Sequence, residues 1–332
     1  MKQFQNLNAR SLQEAVDLAR QAGTRGQVSA FSGGGTDLLQ QVKDGTDPAD
    51  VLINLRTVEG EDQVTEVAGG IRVGGQITLT ELASNEQIRR DYPVLAEAAA
   101  VVGTPQIRNV GTLAGNVTQR PWCWYYRNGF NCYKAGGDRC YSVVGENQLH
   151  AIFGGGPSYI VHPSDLAPAL VALGARFNVI GPEGERSLNA DQFFQLPARN
   201  PRYENTLARD ELLASVVLPT PRPGVVSAYH KVMDRAAWTH AVVSAAAVLE
   251  LRDGVCNDAV IVLGGVAPIP WPATEAQEVL RGRPVTAELA RQAGEVAVSA
   301  AQPLSRNAYK VPMTSAVIER LVLALADGQT AV

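Results

Sequence analysis

Three of the four cysteines crowd into one stretch, "CWYYRNGFNCYKAGGDRC", residues 123–140. Cys123, Cys132 and Cys140 are separated by eight and then seven residues. Thiolates are soft ligands, suited to zinc or iron–sulfur clusters, and both of those call for four donors. A disulfide needs two. Three thiols therefore pose the question of a fourth donor. Cys256 lies beside an Asp-Gly turn far along the chain and reads as an ordinary thiol. His150, in "ENQLHAIFG", reads first as a buried or capping histidine and second as a substitute ligand. His230 and His240 show no metal-ligand spacing. Trp124, Tyr125, Tyr126 and Tyr133 would pack around the loop and keep water from a cluster, which tunes its potential.

A second chemistry is written in glycine. "FSGGGTDLL" sets Gly33, Gly34 and Gly35 between a strand pattern and a helix pattern. Glycine lets the backbone approach a ligand closely and adopt positive φ, and successive N–H groups at such a turn form an anion nest suited to a pyrophosphate. The dinucleotide fingerprint G-x-G-x-x-G is not present, and a plain tight turn is the competing reading. "GTPQIRNVGTLAGNV" follows at 103–117, with Thr112, Gly115 and Asn116 offering a hydroxyl, a bare backbone and an amide. Two such segments in one domain fit a two-ended phosphate clamp. Ser164 and Asp165, in "HPSDLAPAL", stand just before a helix, where an N-cap is the simpler role.

Elements must hold these residues in place. Ser11 with Glu14 suggests a capping box for a helix to about residue 22. Strand, glycine turn and helix follow over 27–45, then a strand at "VLINLRTV". "GIRVGGQITLTELASNEQIRR" predicts a strand and one helix capped near Thr80, and "YPVLAEAAAVVG" a small-residue helix. "SYIVHPSDLAPALVALGARFNVIG" predicts strand, helix, strand. "LPTPRPG" at 218–224 can continue neither a helix nor a central strand. Beyond it, apolar runs flank Asp253-Gly254, a hairpin signal, and about three helical patterns follow. The division expected is 1–219, with subdomains of about 1–57 and 58–219, and then 220–332.

Composition excludes several classes. With 29 basic and 33 acidic residues and no basic block, nucleic acid is not an expected partner. No apolar run reaches the ~20 residues of a membrane span. Four cysteines in 332 residues do not make a disulfide framework and point to a reducing compartment or a metal role.

Taken in order, "GGGTDL" at 33–38, "NVGTLAGNV" at 109–117, "HPSDLAPALVAL" at 162–173, the proline linker and "LGGVAPIPWPATEAQEVLRG" at 263–282 resemble the flavin-binding medium subunit of the xanthine dehydrogenase and carbon monoxide dehydrogenase family. The resemblance spans nearly the whole chain. It implies an α+β architecture: a two-subdomain FAD-binding fold of the vanillyl-alcohol-oxidase type, then a small C-terminal domain with an antiparallel sheet and about three helices. By position, Phe31, Ser32, Gly33, Gly34, Gly35, Thr36, Asp37 and Leu38 would wrap the FAD pyrophosphate. Thr112, Gly115 and Asn116 would hold its other side, and Val102 would line the flavin pocket. Asp165 would hydrogen-bond the cofactor, and Leu213 and Lys231 would approach the flavin. No catalytic side chain is implied.

About 45 residues, roughly 117–159, are inserted relative to simple family members. The insertion resembles that of the aldehyde-oxidising branch, where it holds a [4Fe–4S] cluster. The fourth cysteine of those relatives falls at Ser158 here, so the implied ligand set is Cys123, Cys132, Cys140 and Ser158, with a [4Fe–4S] or [3Fe–4S] cluster. The resemblance implies a large molybdenum-cofactor partner and a small [2Fe–2S] partner in a heterotrimer or a dimer of heterotrimers. It implies a cytoplasmic location, or a periplasmic one if a partner carries the export signal. An aldehyde is the substrate most consistent with the insertion, ahead of an N-heterocycle or aromatic acyl-CoA. A stand-alone flavin oxidase and a non-enzymatic iron–sulfur protein are the competing readings. Covalent flavin attachment needs a His or Cys near the glycine loop, and "FSGGGTDLL" has neither.

Overall fold

A computed structural model describes residues 2–328 of the chain. Its first layer is a parallel sheet of β1 (Gln5–Asn8), β2 (Ser29–Ser32) and β3 (Val51–Asn54), ordered β1-β3-β2. The helix Leu12–Thr24 covers it with Ala15, Val16 and Ala19 buried. Ser11 caps that helix, accepting from the Glu14 N–H at 3.1 Å. The Glu14 carboxylate turns to the Arg10 N–H at 2.7 Å, so the expected box closes one residue early.

The second sheet is antiparallel: β4 (Val64–Val67), β5 (Gly70–Gly74), β6 (Arg176–Gly181), β7 (Gly184–Leu188) and β8 (Leu212–Pro219), ordered β4-β5-β8-β6-β7. The long passage from β5 to β6 carries the second glycine segment and the cysteine insertion. Here the sequence reading needs correction twice. The single helix expected after residue 77 is two, Leu79–Ser84 and Glu86–Asp91. Thr78 and Glu81 make the capping box, while the Thr80 hydroxyl donates to Asn109. Asn85 takes extended backbone and accepts from the Ile88 N–H, which ends one helix and starts the next. The strand expected over 159–162 is absent. The backbone there is extended, but Tyr159 and His162 bond to separate segments, at Ala151 and Ala267, so no ladder forms.

The third sheet comprises β9 (Val225–Val232), β10 (Val243–Arg252) and β11 (Val255–Gly264), with β12 (Trp271–Pro272) and β13 (Arg283–Pro284) both pairing with β11. Asp253 and Gly254 both take positive φ, the backbone that a two-residue hairpin of native twist demands. Helices Thr274–Leu280, Ala287–Ala297 and Lys310–Ala326 cover one face. The core is shared. Leu95, Leu166, Phe177 and Val216 pack in one cluster with Tyr229, Ala246 and Val262 from the third sheet. That continuity fixes the third sheet against the wall on which the glycine segments lie.

Candidate functional site

The two glycine segments meet. A Cβ on Gly34 would fall 1.8 Å from the Val110 carbonyl oxygen, and one on Gly33 would fall 2.8 Å from Thr112 Oγ1. Only hydrogen fits at either position, which is a direct physical reason for glycine there. Gly35 supplies the positive φ, +70°, that turns the chain into the helix Leu38–Asp44. Across the contact, Thr112 caps the helix Leu113–Val117 by accepting from the Gly115 N–H. The buried Asn116 side chain accepts the Ser164 hydroxyl at 2.6 Å, and Ser164 in turn accepts from the Ala167 N–H. Segments far apart in sequence are thus fastened around one cavity of about 1010 Å³.

Phe31, Gly33, Gly34, Gly35, Thr36, Asp37, Leu38, Val102, Thr112, Gly115, Asn116 and Asp165 all line that cavity. Three residues expected there do not. Ser32 sits at the end of β2, behind the turn. Leu213 is buried in the core on β8. Lys231 lies beneath the wall, where its ammonium donates to the Val101 and Thr239 carbonyls and to Asp165 at 2.7 Å. Asp165 also accepts the Tyr229 hydroxyl at 2.8 Å. Its carboxylate is therefore engaged within the protein, tying the second layer to β9. Burial, reinforced by the Asp165 charge, holds the Tyr229 phenol well above its ordinary pKa, so it stays a donor.

Sequence reasoning missed the charged framework of the insertion. Arg120 donates to Glu204 at 2.6 Å, and Lys134 reaches the other oxygen of that carboxylate. Glu204 and Lys134 are buried and Arg120 nearly so. Desolvation alone would raise the Glu204 pKa, but Arg120 and Lys134 outweigh it and hold the group ionised. Arg127 donates to Asp37 at 2.7 Å. Basic residues in an aromatic loop were a visible signal, but their partners are 70 to 90 residues away and carry no local mark. His162, fully desolvated against the cavity wall, has its pKa pushed down to about 4 and is neutral.

Cys123, Cys132, Cys140 and Cys256 are all free thiols. Burial raises the Cys123 pKa to about 11, and Cys140 and Cys132 lie close enough to add to the rise. The neighbour that the structure sets against Cys123 is His150, with Nε2 3.4 Å from Sγ. Nδ1 of that ring is buried without a partner. Among the described residues no group of three or more His, Cys, Asp or Glu side chains is drawn together as the shell of a single ion. A cubane distributes its ligands over separate irons, a wider spacing than one ion needs. Ser158 and His150 are both buried.

Residues 2–221 match the model of the FAD-binding domain in molybdopterin dehydrogenase, and residues 228–325 match the CO dehydrogenase flavoprotein C-terminal domain. The chain belongs to the FAD-binding medium subunits of the molybdenum hydroxylases. It is 34% identical to the aldehyde oxidoreductase FAD-binding subunit PaoB of Escherichia coli (strain K12), over 90% of this chain and 92% of that one. It is 26% identical to the carbon monoxide dehydrogenase medium chain of Afipia carboxidovorans, over 94% and 93%. In fold it matches carbon monoxide dehydrogenase from Hydrogenophaga pseudoflava, with a TM-score of 0.77 at 24% identity over 99% of both chains. The turn at 33–35 and the segment at 110–112 pack directly on each other at that cavity, and a Cβ on Gly34 would force them apart.

Proposed function

We propose that this chain carries FAD as the electron-transfer subunit of a heteromeric molybdenum hydroxylase that oxidises an aldehyde. The observation that carries the reading is the contact of Gly33 and Gly34 with Val110 and Thr112, which joins both glycine segments on one cavity. FAD bound there supplies the redox chemistry. The chain's part is to hold it. Backbone N–H groups of 33–36 take the diphosphate, Thr112, Gly115 and Asn116 close the opposite side, and Val102 flanks the ring. The helix Leu38–Asp44 has seven residues, so the turn's own N–H groups rather than a long dipole supply the anion affinity. A large molybdenum-cofactor subunit and a small [2Fe–2S] subunit would complete the enzyme. Exposed Phe130, Val143 and Val144 on the insertion offer apolar surface for such a partner. The aldehyde assignment is supported by the identity to PaoB and by the insertion. The purified chain should show flavin bands near 370 and 450 nm, release FAD on acid treatment and oxidise no aldehyde alone. Aldehyde turnover by the single chain, or its purification without flavin from flavin-replete cells, overturns the reading.

The insertion supports a second cofactor. Cys123, Cys132 and Cys140 are free, and a neutral imidazole stands against Cys123. An iron–sulfur cluster on these thiols, with an oxygen or imidazole donor at the fourth iron, is the reading of this loop. Iron and sulfide analysis with EPR on anaerobically prepared protein tests it. Replacement of all three cysteines by serine without change in iron content removes it.

A further inference from the structure

The inserted loop meets the FAD cradle at several points, Arg120, Trp122 and His150 lining the cavity among them, and one of the contacts is an ion pair whose chemistry is unusual for its position. Asp37 directly follows the glycine turn and lines the cavity. On the proposed-function reading, on which this inference rests, a diphosphate anion lies against that turn. A carboxylate there opposes the ligand it adjoins, because like charges at short range in a partly desolvated site are costly.

The insertion answers this charge. Arg127 Nη2 donates to Asp37 Oδ1 at 2.7 Å. The Arg120 backbone N–H at 3.0 Å and Gln41 Nε2 at 2.7 Å both donate to Oδ2. Arg127 is itself held rigidly. Its Nε donates to the Pro121 carbonyl, its Nη2 also donates to the Arg120 carbonyl, and its guanidinium lies 4.4 Å from the Trp122 ring centroid. Its side chain is 7% exposed, and Nη1 is buried with no partner. Arg127 does not line the cavity. It acts from behind, on Asp37. With Arg127 in place the pair is formally neutral, so the turn presents no net negative charge to an anion in the cavity.

We propose that Arg127 is a positioning residue of the FAD site, which neutralises Asp37 so that the glycine turn can accept the diphosphate. The cysteine insertion is then a working part of the flavin cradle. Whatever orders that loop, a bound cluster included, also governs how firmly FAD is held. The charge of Arg127, and not merely its packing, carries the effect.

The test is FAD affinity of the full chain, read by quenching of FAD fluorescence on titration into flavin-stripped protein. Arg127→Met should weaken FAD at least about tenfold, because a part-buried carboxylate loses its cation while keeping its charge. Arg127→Lys should keep most of the affinity. Asp37→Asn removes the repelling charge and should bind FAD at least as well as the natural chain. The double variant Asp37→Asn/Arg127→Met should fall within about threefold of Asp37→Asn alone, since the pair would then be energetically coupled. A structural brace would not be rescued this way. If Arg127→Met binds FAD like the natural chain, or if the double variant is as weak as Arg127→Met, the proposal is wrong. Should Arg127→Met fail to fold by circular dichroism, the lysine and double variants decide, and weak binding by both counts against it. A chain that binds no FAD, or a Gly34→Val variant that binds it normally, overturns the underlying site assignment instead.

Discussion

The glycine cradle and the cysteine insertion sit side by side and are built on opposite principles. In the cradle, position is dictated by backbone: Gly34 abuts a carbonyl, Gly35 supplies a left-handed φ, and side chains are excluded. In the insertion, position is dictated by buried charge: Arg120 and Lys134 on Glu204, and Arg127 on Asp37. Its secondary structure is slight, with one four-residue helix and two 3₁₀ turns between residues 118 and 158. A backbone-defined site fails by steric intrusion and fails completely. A charge-defined site fails by degrees, according to how deeply each pair is buried.

The sharpest way to break the contrast is Gly34→Val. With a Cβ directed 1.8 Å from the Val110 carbonyl oxygen, FAD occupancy should fall to nothing in absorbance spectra of purified protein. Retained flavin would overturn the assignment of this turn to FAD. Next comes Glu204→Gln. It leaves two buried cations facing a neutral amide and should cost about 3–5 kcal/mol in denaturant unfolding. The Glu204 pKa is held below its ordinary value, so its contribution is present above pH ~4.5 and is lost as pH falls through the lower folded value. A loss under about 1 kcal/mol would show that the loop is held by its aromatic packing instead.

Lys310 tests the same idea with the opposite sign. It is fully buried, donates to the Leu149 and Gly265 carbonyls, and has no acidic partner among the described residues. Burial pushes its pKa down to about 7 from 10.5. Between those values the unfolded chain holds more protons, so Lys310 makes stability rise with pH across that window. Lys310→Met should flatten the rise and leave stability at pH 7 unchanged or higher, measured by urea unfolding at several pH values. An unchanged slope would locate the titration elsewhere. The smallest effect is expected at Arg139. Its pair with Asp138 lies on the same insertion but is open to solvent, so Arg139→Ala should leave the melting temperature within error. A clear drop there would erase the distinction between buried and exposed anchors.

The cradle was legible in sequence because glycine is a local signal. A run of three glycines between strand and helix patterns announces a turn that must stay bare, and Thr112 and Gly115 announce a second. The third sheet was legible through its apolar runs and Asp253-Gly254. What stayed hidden depends on long-range pairing. Glu204 sits in "NPRYENT", a plain polar loop, and nothing near it marks a partner at Arg120. Lys231 looked like a ligand-facing residue, because its burial and its pairing with Asp165 cannot be read from its own segment. Asn85 looked like a mid-helix residue, yet its side chain can cap, and that ended one helix and began another. The strand expected at 159–162 failed because extended backbone becomes a strand only when one neighbour pairs with it along its length.

The pairing of Asp165 with Tyr229 and Lys231 bears on how the chain could be cut. The proline-rich stretch at 218–224 looks like a hinge between separable modules, and a gene truncated there would appear to yield a neat N-terminal half. It would instead strand a carboxylate in an apolar wall without its cation, and would expose Leu95 and Leu166 where Tyr229 and Ala246 had covered them. The linker is a boundary in the chain's grammar but not in its mechanics. The two halves should melt in one transition, and protease nicking at residues 220–224 should leave them associated until that transition is reached.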